Sequence, residues 1–311
     1  MSQTTASAAA PAGSPQRTLR LGSIGVDSSH LPEFTKRIAA LHEKGETPCR
    51  VTGFWAGGEP DMPAEQVEAW VEDARTHGAE AYDDTEAMLD NVDGVLVLAV
   101  AGHKHLALAE PALRRGLPTY IDKPLACDAS EAKRIEALVE QYGSPCYSAS
   151  SLRFANEPKA IDPAALGELK AIDAFGPGEL HPLMPGVLFY GVHTIEMVDA
   201  IWGPGVEAVS AEHRDDRDLV RLAYRDGRFA SLRLERAGAY DFGATVHGEK
   251  DIESFRVDFS SVYDRLVEGM ARFFETHEPP VTLDRIVENV AVMAAANASM
   301  QRGGAWVDVD R

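Results

Sequence analysis

The chain has 311 residues, 45% hydrophobic and 25% charged, which suits two medium-sized domains with cores of their own. With 30 basic against 49 acidic side chains its formal charge is −19, which excludes nucleic acid or an anionic membrane as the main partner, because phosphates demand a basic face. The longest apolar run, residues 95–101, falls well short of the roughly 20 residues that cross a bilayer, and Cys49, Cys127 and Cys146 make neither a disulfide framework nor a zinc motif, as expected of a reduced, cytoplasmic protein.

Residues 1–17 form a tail rich in Ala, Ser, Thr, Gly and Pro, expected to be disordered because it carries no periodic apolar face. It has neither a basic start nor an apolar stretch, so no secretory signal is expected. Residues 18–149 alternate short Val/Ile/Leu runs with amphipathic segments. Strands are expected at 19–26, 51–55, 79–82, 93–100, 119–121 and 145–149, and helices at 32–44, 64–76, 85–89, 105–115 and 129–142. The 93–100 run is apolar throughout, as a strand covered on both faces should be. Repeated βα units predict an α/β Rossmann-type, doubly wound parallel sheet, with ligand beyond the carboxyl ends of its strands near the switch in strand order.

Residues 150–311 read differently. A strand at 169–175 and a helix at 191–202 precede closely spaced strands at 206–211, 218–224, 229–234, 245–247 and 252–257, with Asp226-Gly227 as a turn signal. Helices at 262–276 and 283–302 and a short strand at 306–309 follow. This predicts an α+β domain on a mostly antiparallel sheet, whose exposed face needs a cover and points to a homo-oligomer.

The first strand ends Gly25-Val-Asp27-Ser28-Ser29-His30. A dinucleotide fold wants Gly-x-Gly-x-x-Gly there, for a tight turn, for approach of backbone to pyrophosphate and for helix–strand packing. Only Gly25 is present; Asp27 and His30 stand at the other two positions. Ser28 and Ser29 read equally as helix caps or as donors to an anion. After the second strand, Trp55-Ala56-Gly57-Gly58 supplies no acid for a ribose hydroxyl and no arginine for a 2′-phosphate. Asp27, His30, His103 and His105 share one sheet edge, which leaves a metal cluster open, although polar caps beside a crevice are commoner than ligands. Lys123 directly follows an apolar strand. It reads as an exposed loop lysine or as an amine tuned by Asp122 for acid–base work. His193 and Glu196, three apart, open a helix on one face, and His181 sits in a Gly/Pro-rich loop long enough to be a lid.

From about residue 19 to the end, the pattern resembles the glucose-fructose oxidoreductase/inositol dehydrogenase (Gfo/Idh/MocA) family. Asp122-Lys123-Pro124 stands for that family's Glu-Lys-Pro. His105, Arg153-Phe154, Gly167-Glu168-Leu169, Gly191-x-His193, Gly248-Glu249-Lys250 and the stretch 299–307 fall in the same order and spacing. The resemblance implies a Rossmann domain binding NAD or NADP, a second domain that carries substrate and often forms the oligomer interface, and Lys123 with His193 as the proton-handling pair. Catalysis would fall to Lys123, His193 and Glu196. The cofactor side would be lined by Gly25, Asp27, Ser28, Ser29, His30, Trp55, Ala101, His105, Asp122 and Lys123, and the small-molecule substrate met by His103, Arg153, His181 and Tyr190. Phe189 stands where the family has an acid, and Val100-Ala101-Gly102 replaces its Thr-Pro-Asn. The implied reaction is hydride transfer between a sugar-like or cyclic polyol and a nicotinamide. A non-redox lyase, epimerase or hydrolase on the same fold, with or without metal, and a silent binding protein are the alternatives, because fold does not fix function.

Overall fold

The structure is a computed structural model that describes residues 17–310. The tail expected to be disordered lies outside these residues except for Arg17, which pairs with Asp93. Described elements run β1 (Leu19–Ile24), α1 (His30–Glu43), β2 (Cys49–Trp55), α2 (Ala64–Thr76), β3 (Glu80–Ala81), α3 (Thr85–Leu89), β4 (Gly94–Val97), α4 (His105–Arg114), β5 (Thr119–Ile121), α5 (Ala129–Tyr142) and β6 (Cys146–Tyr147). They continue with α6 (Asn156–Ala160), α7 (Pro163–Leu166), β7 (Leu169–Pro177), α8 (Gly191–Trp202), β8 (Val206–Arg214), β9 (Arg217–Tyr224), β10 (Phe229–Glu235), β11 (Gly243–Gly248), β12 (Ile252–Arg256), α9 (Val262–Thr276), α10 (Leu283–Gln301) and β13 (Val307–Asp308).

Strands β1 to β6 form one parallel sheet in the order β3-β2-β1-β4-β5-β6. The order reverses between β1 and β4, so the ligand crevice belongs beyond their carboxyl ends. β4 and β5 are buried at every position, as strands covered on both faces must be. Helix ends follow from local chemistry. Asp128 caps α5 by accepting from the backbone N–H of Ser130 and Glu131, and Asp84 caps α3 through Ala87 N–H.

The second sheet has the order β12-β11-β7-β10-β9-β8-β13. All its pairs are antiparallel except β7 with β10. β9 alternates half-buried and buried residues along its whole length, so one face lies on the core and the other is open. The Asp226-Gly227 turn joins β9 to β10, and Gly227 takes φ +88°, which a side chain would disfavour.

Strand ends differ from the sequence reading by a few residues in both sheets. β1, β3, β4 and β6 are shorter than their apolar runs, β2 begins earlier at Cys49, and residues 98–100 leave the β4 ladder while staying apolar, with Val100 lining the crevice. β7 to β11 are longer, because their polar outward residues carry no apolar signal, whereas β12 and β13 are shorter. Helices α6 and α7 were not expected; at five and four residues they are too short to show periodicity. Cys49, Cys127 and Cys146 are all free thiols.

Candidate active site

Four chain segments meet at the switch point: the β1–α1 turn, the end of β5, the start of α8 and α9. The turn starts at Gly25, whose φ is +94° and whose missing Cβ would lie 2.5 Å from the Ala99 backbone nitrogen; only glycine lets β1 pass β4 there. Asp27 follows, buried, with its carboxylate accepting from Val100 N–H at 3.1 Å and Asp61 N–H at 2.9 Å. Its charge is thus spent on two backbone donors rather than left bare at the amino end of α1. Ser28 Oγ accepts from His30 N–H, and Ser29 makes no side-chain cap.

His30 is the structural surprise of this turn. Its ring reaches across the sheet edge to β5, with Nδ1 2.6 Å from Asp122 Oδ2 and Nε2 3.2 Å from the Tyr263 hydroxyl on α9. Burial works against the charge of Asp122, but the neighbouring His30 and Lys123 outweigh it and hold this carboxyl well below the usual range. The other Asp122 oxygen accepts from Lys123 N–H at 2.8 Å and fixes the backbone at the start of the Lys123 loop. Tyr263, packed over the same aspartate, is pushed up to about 12 by burial and by that negative charge.

Lys123 and His193 line one cleft of about 230 Å³ together with Asp27, Ser28, Ser29 and Tyr190. The Lys123 ammonium lies 5.7 Å from the centre of the Phe189 ring, and among the described residues it has no hydrogen-bond or ion-pair partner. His193 Nδ1 is 2.7 Å from Ser150 Oγ. Burial first, then the Lys123 ammonium and the His30 ring nearby, hold the His193 imidazole well below its ordinary range and so neutral. Unpaired ammonium and neutral imidazole therefore face one space.

Several expected site residues lie elsewhere. Glu196 and His193 do not share a face in effect: Glu196 turns inward and accepts from Ser150 N–H and Arg153 Nε. Arg153 is buried between Glu196 and Asp199, so neither it nor Glu196 reaches the cleft. His105 is fully buried and staples two loops, with Nδ1 at Pro124 O and Nε2 at Ala99 O. Ala101 is buried, His103 is exposed on the preceding turn, and Trp55 is half-buried outside the cleft. Met62 and Trp70 line the cleft where Trp55 was expected. His181 packs its ring 4.7 Å from Phe189 and is not among the residues that line the cleft. Asp27, His30, His103 and His105 do not converge, since each of the buried three is committed to different partners; among the described residues no group of three or more His, Cys, Asp or Glu is placed to hold a metal. Tyr263, Met62 and Trp70 were missed by sequence reasoning; they stand on ordinary amphipathic segments and only the fold brings them here.

Residues 20–150 match the Gfo/Idh/MocA model, which describes an oxidoreductase family with an NAD-binding Rossmann fold. Over these residues the chain carries that family's NAD-binding Rossmann domain. The inositol 2-dehydrogenase of Corynebacterium glutamicum (strain ATCC 13032) is 24% identical over 270 residues, which are 82% of this chain and 74% of that protein. GenD2 from gentamicin A biosynthesis, solved in complex with NAD, has a TM-score of 0.79 at 15% identity, covering 98% of this chain and 100% of that one. The myo-inositol 2-dehydrogenase of Lactobacillus plantarum has 0.77 at 16% identity, covering 94% and 100%. These structures share the fold.

The Gfo/Idh/MocA cofactor finds a partial cradle in this chain. Gly25 keeps the space a Cβ would fill, and the amino end of α1 at Ser28 and Ser29 is open to a phosphate because Asp27 is tied away from it. The cleft, whose wall includes Met62 on the segment between β2 and α2, is smaller than the roughly 300–1,000 Å³ of common ligand pockets. No helix among the described residues is long and apolar enough to cross a membrane.

Proposed function

We propose that the protein is an NAD-dependent oxidoreductase acting on a secondary hydroxyl of a sugar-like or cyclic polyol. The reading is carried by the unpaired Lys123 ammonium beside a neutral His193 in one cleft at the switch point. It is supported by the inositol dehydrogenases among the relatives. Gly25, Ser28 and Ser29 would hold the pyrophosphate. A bound nicotinamide would supply the acceptor for the hydride of the carbinol C–H.

The chain's own groups handle the proton. Lys123 donates a hydrogen bond to the substrate oxygen and stabilises negative charge developing on it. With Nδ1–H donating to Ser150 Oγ, His193 Nε2 is a free acceptor for the hydroxyl proton. Asp122 and His30 keep the Lys123 loop in place, and Glu196 with Arg153 fixes the Ser150 backbone from behind. NAD is favoured over NADP: Glu59 and Asp61 follow β2, and Lys104 is bound to Asp61 Oδ2 at 2.6 Å and to Glu59 O at 2.9 Å rather than offered to an extra phosphate. Self-association uses the open face of the second sheet, where Phe175, Phe229 and Trp306 are exposed.

The test has two steps. NADH is titrated while emission of Trp70, which lines the cleft, is followed; saturable change is expected. Reduction of NAD is then read at 340 nm with myo-inositol and a panel of cyclic polyols and sugars. No cofactor response, or no turnover with any member in the presence of bound cofactor, overturns the reading.

A further inference from the structure

A second cavity of about 320 Å³ lies behind His193. It shares Tyr190, His193 and Tyr263 with the cleft that holds Lys123, so the two spaces meet at the imidazole. Its remaining wall is Tyr240, Phe242 and Phe259 with Ser151, Leu152 and Asp241. The rings form an unbroken series, with centroid separations of 5.4 Å from Tyr190 to His193, 5.9 Å from His193 to Phe242 and 5.7 Å from Phe242 to Phe259. At its mouth Tyr240 and Phe259 are 58% and 47% exposed, a cost in water that an occupant would remove. Tyr240 is held at this rim by its hydroxyl, which donates to Glu179 at 2.9 Å.

The wall offers little to a charged or hydrogen-bonding group. Asp241 is the carboxylate lining it, and its oxygens are taken by the Arg256 guanidinium and by Phe242 N–H. A cation gains nothing from a carboxylate already balanced, and it would approach the Lys123 ammonium in the adjoining cleft. A flat uncharged group instead meets ring faces and edges on most sides.

We propose that this chamber is a specificity subsite for an uncharged aromatic or apolar substituent carried by the substrate, placed next to the ring whose hydroxyl meets Lys123 and His193. The proposal rests on the dehydrogenase reading for where that ring sits. The occupant is therefore an apolar glycoside or ether rather than a bare polyol.

The test is cofactor-free binding of the full chain to phenyl, methyl and 2-aminoethyl β-D-glucopyranoside, followed by ligand-detected saturation-transfer NMR and titration. The phenyl glucoside is expected to bind about tenfold more tightly than the methyl one, with the strongest transfer on phenyl protons. Phe259→Ala, at an exposed position, is expected to remove most of that preference with the circular dichroism spectrum unchanged; Phe242→Leu is the second variant. Equal affinity for phenyl and methyl probes, absence of binding by all three, tighter binding of the aminoethyl probe, or a preference that survives both substitutions overturns the proposal. NADH is titrated in the same samples. Phenyl preference without NADH binding removes the dehydrogenase reading and keeps the subsite, whereas NADH binding without phenyl preference removes the subsite alone.

Discussion

Two clusters of desolvated charge lie on either side of α8. Behind the helix, Arg153 bonds Glu196 at 3.1 Å and Asp199 at 2.6 Å, and Arg285 adds a second cation at Asp199 Oδ2, 3.0 Å away. Every member there has its opposite. In front, His30 and Asp122 are paired, but Lys123 is not, and His193 is neutral where a cation would be out of place. Both clusters contain shifted groups. Burial raises the Glu196 carboxyl against the pull of Arg153, just as burial lowers His193. A shifted titration alone therefore does not mark chemistry; an unbalanced set beside open space does.

Substitution should separate the two clusters cleanly. Lys123→Ala is expected to lower NAD-linked turnover by about 10²–10⁴-fold while the melting temperature stays near that of the parent. Full activity in that variant would remove the lysine from the reaction. Arg153→Ala leaves Glu196 without its cation and should cost ~3–5 kcal/mol of stability, read by urea denaturation, while the folded fraction loses far less turnover than Lys123→Ala. If instead Arg153→Ala melts normally and turnover collapses, the arginine belongs to the front cluster.

How far the sequence disclosed this division depends on sequence separation. The β1–β5 alternation, the turn at Asp226-Gly227 and the start of α8 at Gly191 were legible, because apolar period and turn residues act within a few positions. Lys123 stood out as a lysine directly after a buried strand. His30 was read as a cofactor-side residue or metal ligand, since nothing local shows that its partners are 92 and 233 residues away. Glu196 was placed beside His193 on helical spacing alone. Three positions is under one turn, and the neighbours that decided its direction, Ser150 and Arg153, come from a different segment. His105 likewise is satisfied by two carbonyls that local sequence does not reveal.

Smaller effects sharpen the reading of the front cluster. NAD should be preferred to NADP by roughly tenfold in Kd, since Glu59 and Asp61 oppose a further phosphate and Lys104 is engaged. Reversed preference would mean that the phosphate is met elsewhere. Met62→Ala, which opens the wall of the cleft, should tighten NADH binding by about two- to fivefold; weaker binding would show that Met62 holds the cofactor rather than obstructs it. Acid stability follows the same electrostatics. Below the ordinary histidine value of 6.5 the unfolded chain takes a proton at residue 193 that the folded chain refuses, so stability falls as pH drops from there toward the depressed folded value. His193→Gln should flatten that slope in pH-dependent denaturation curves, and an unchanged slope would assign it to other groups.

The central claim is that burial, and after it the Lys123 ammonium across a shared cleft, keeps His193 neutral. NMR titration of ¹³C-labelled histidine in the parent and in Lys123→Met tests it directly. The account predicts a His193 midpoint well below 6.5 in the parent, moving upward when the ammonium is removed. A midpoint at or above 6.5, indifferent to that substitution, would contradict it.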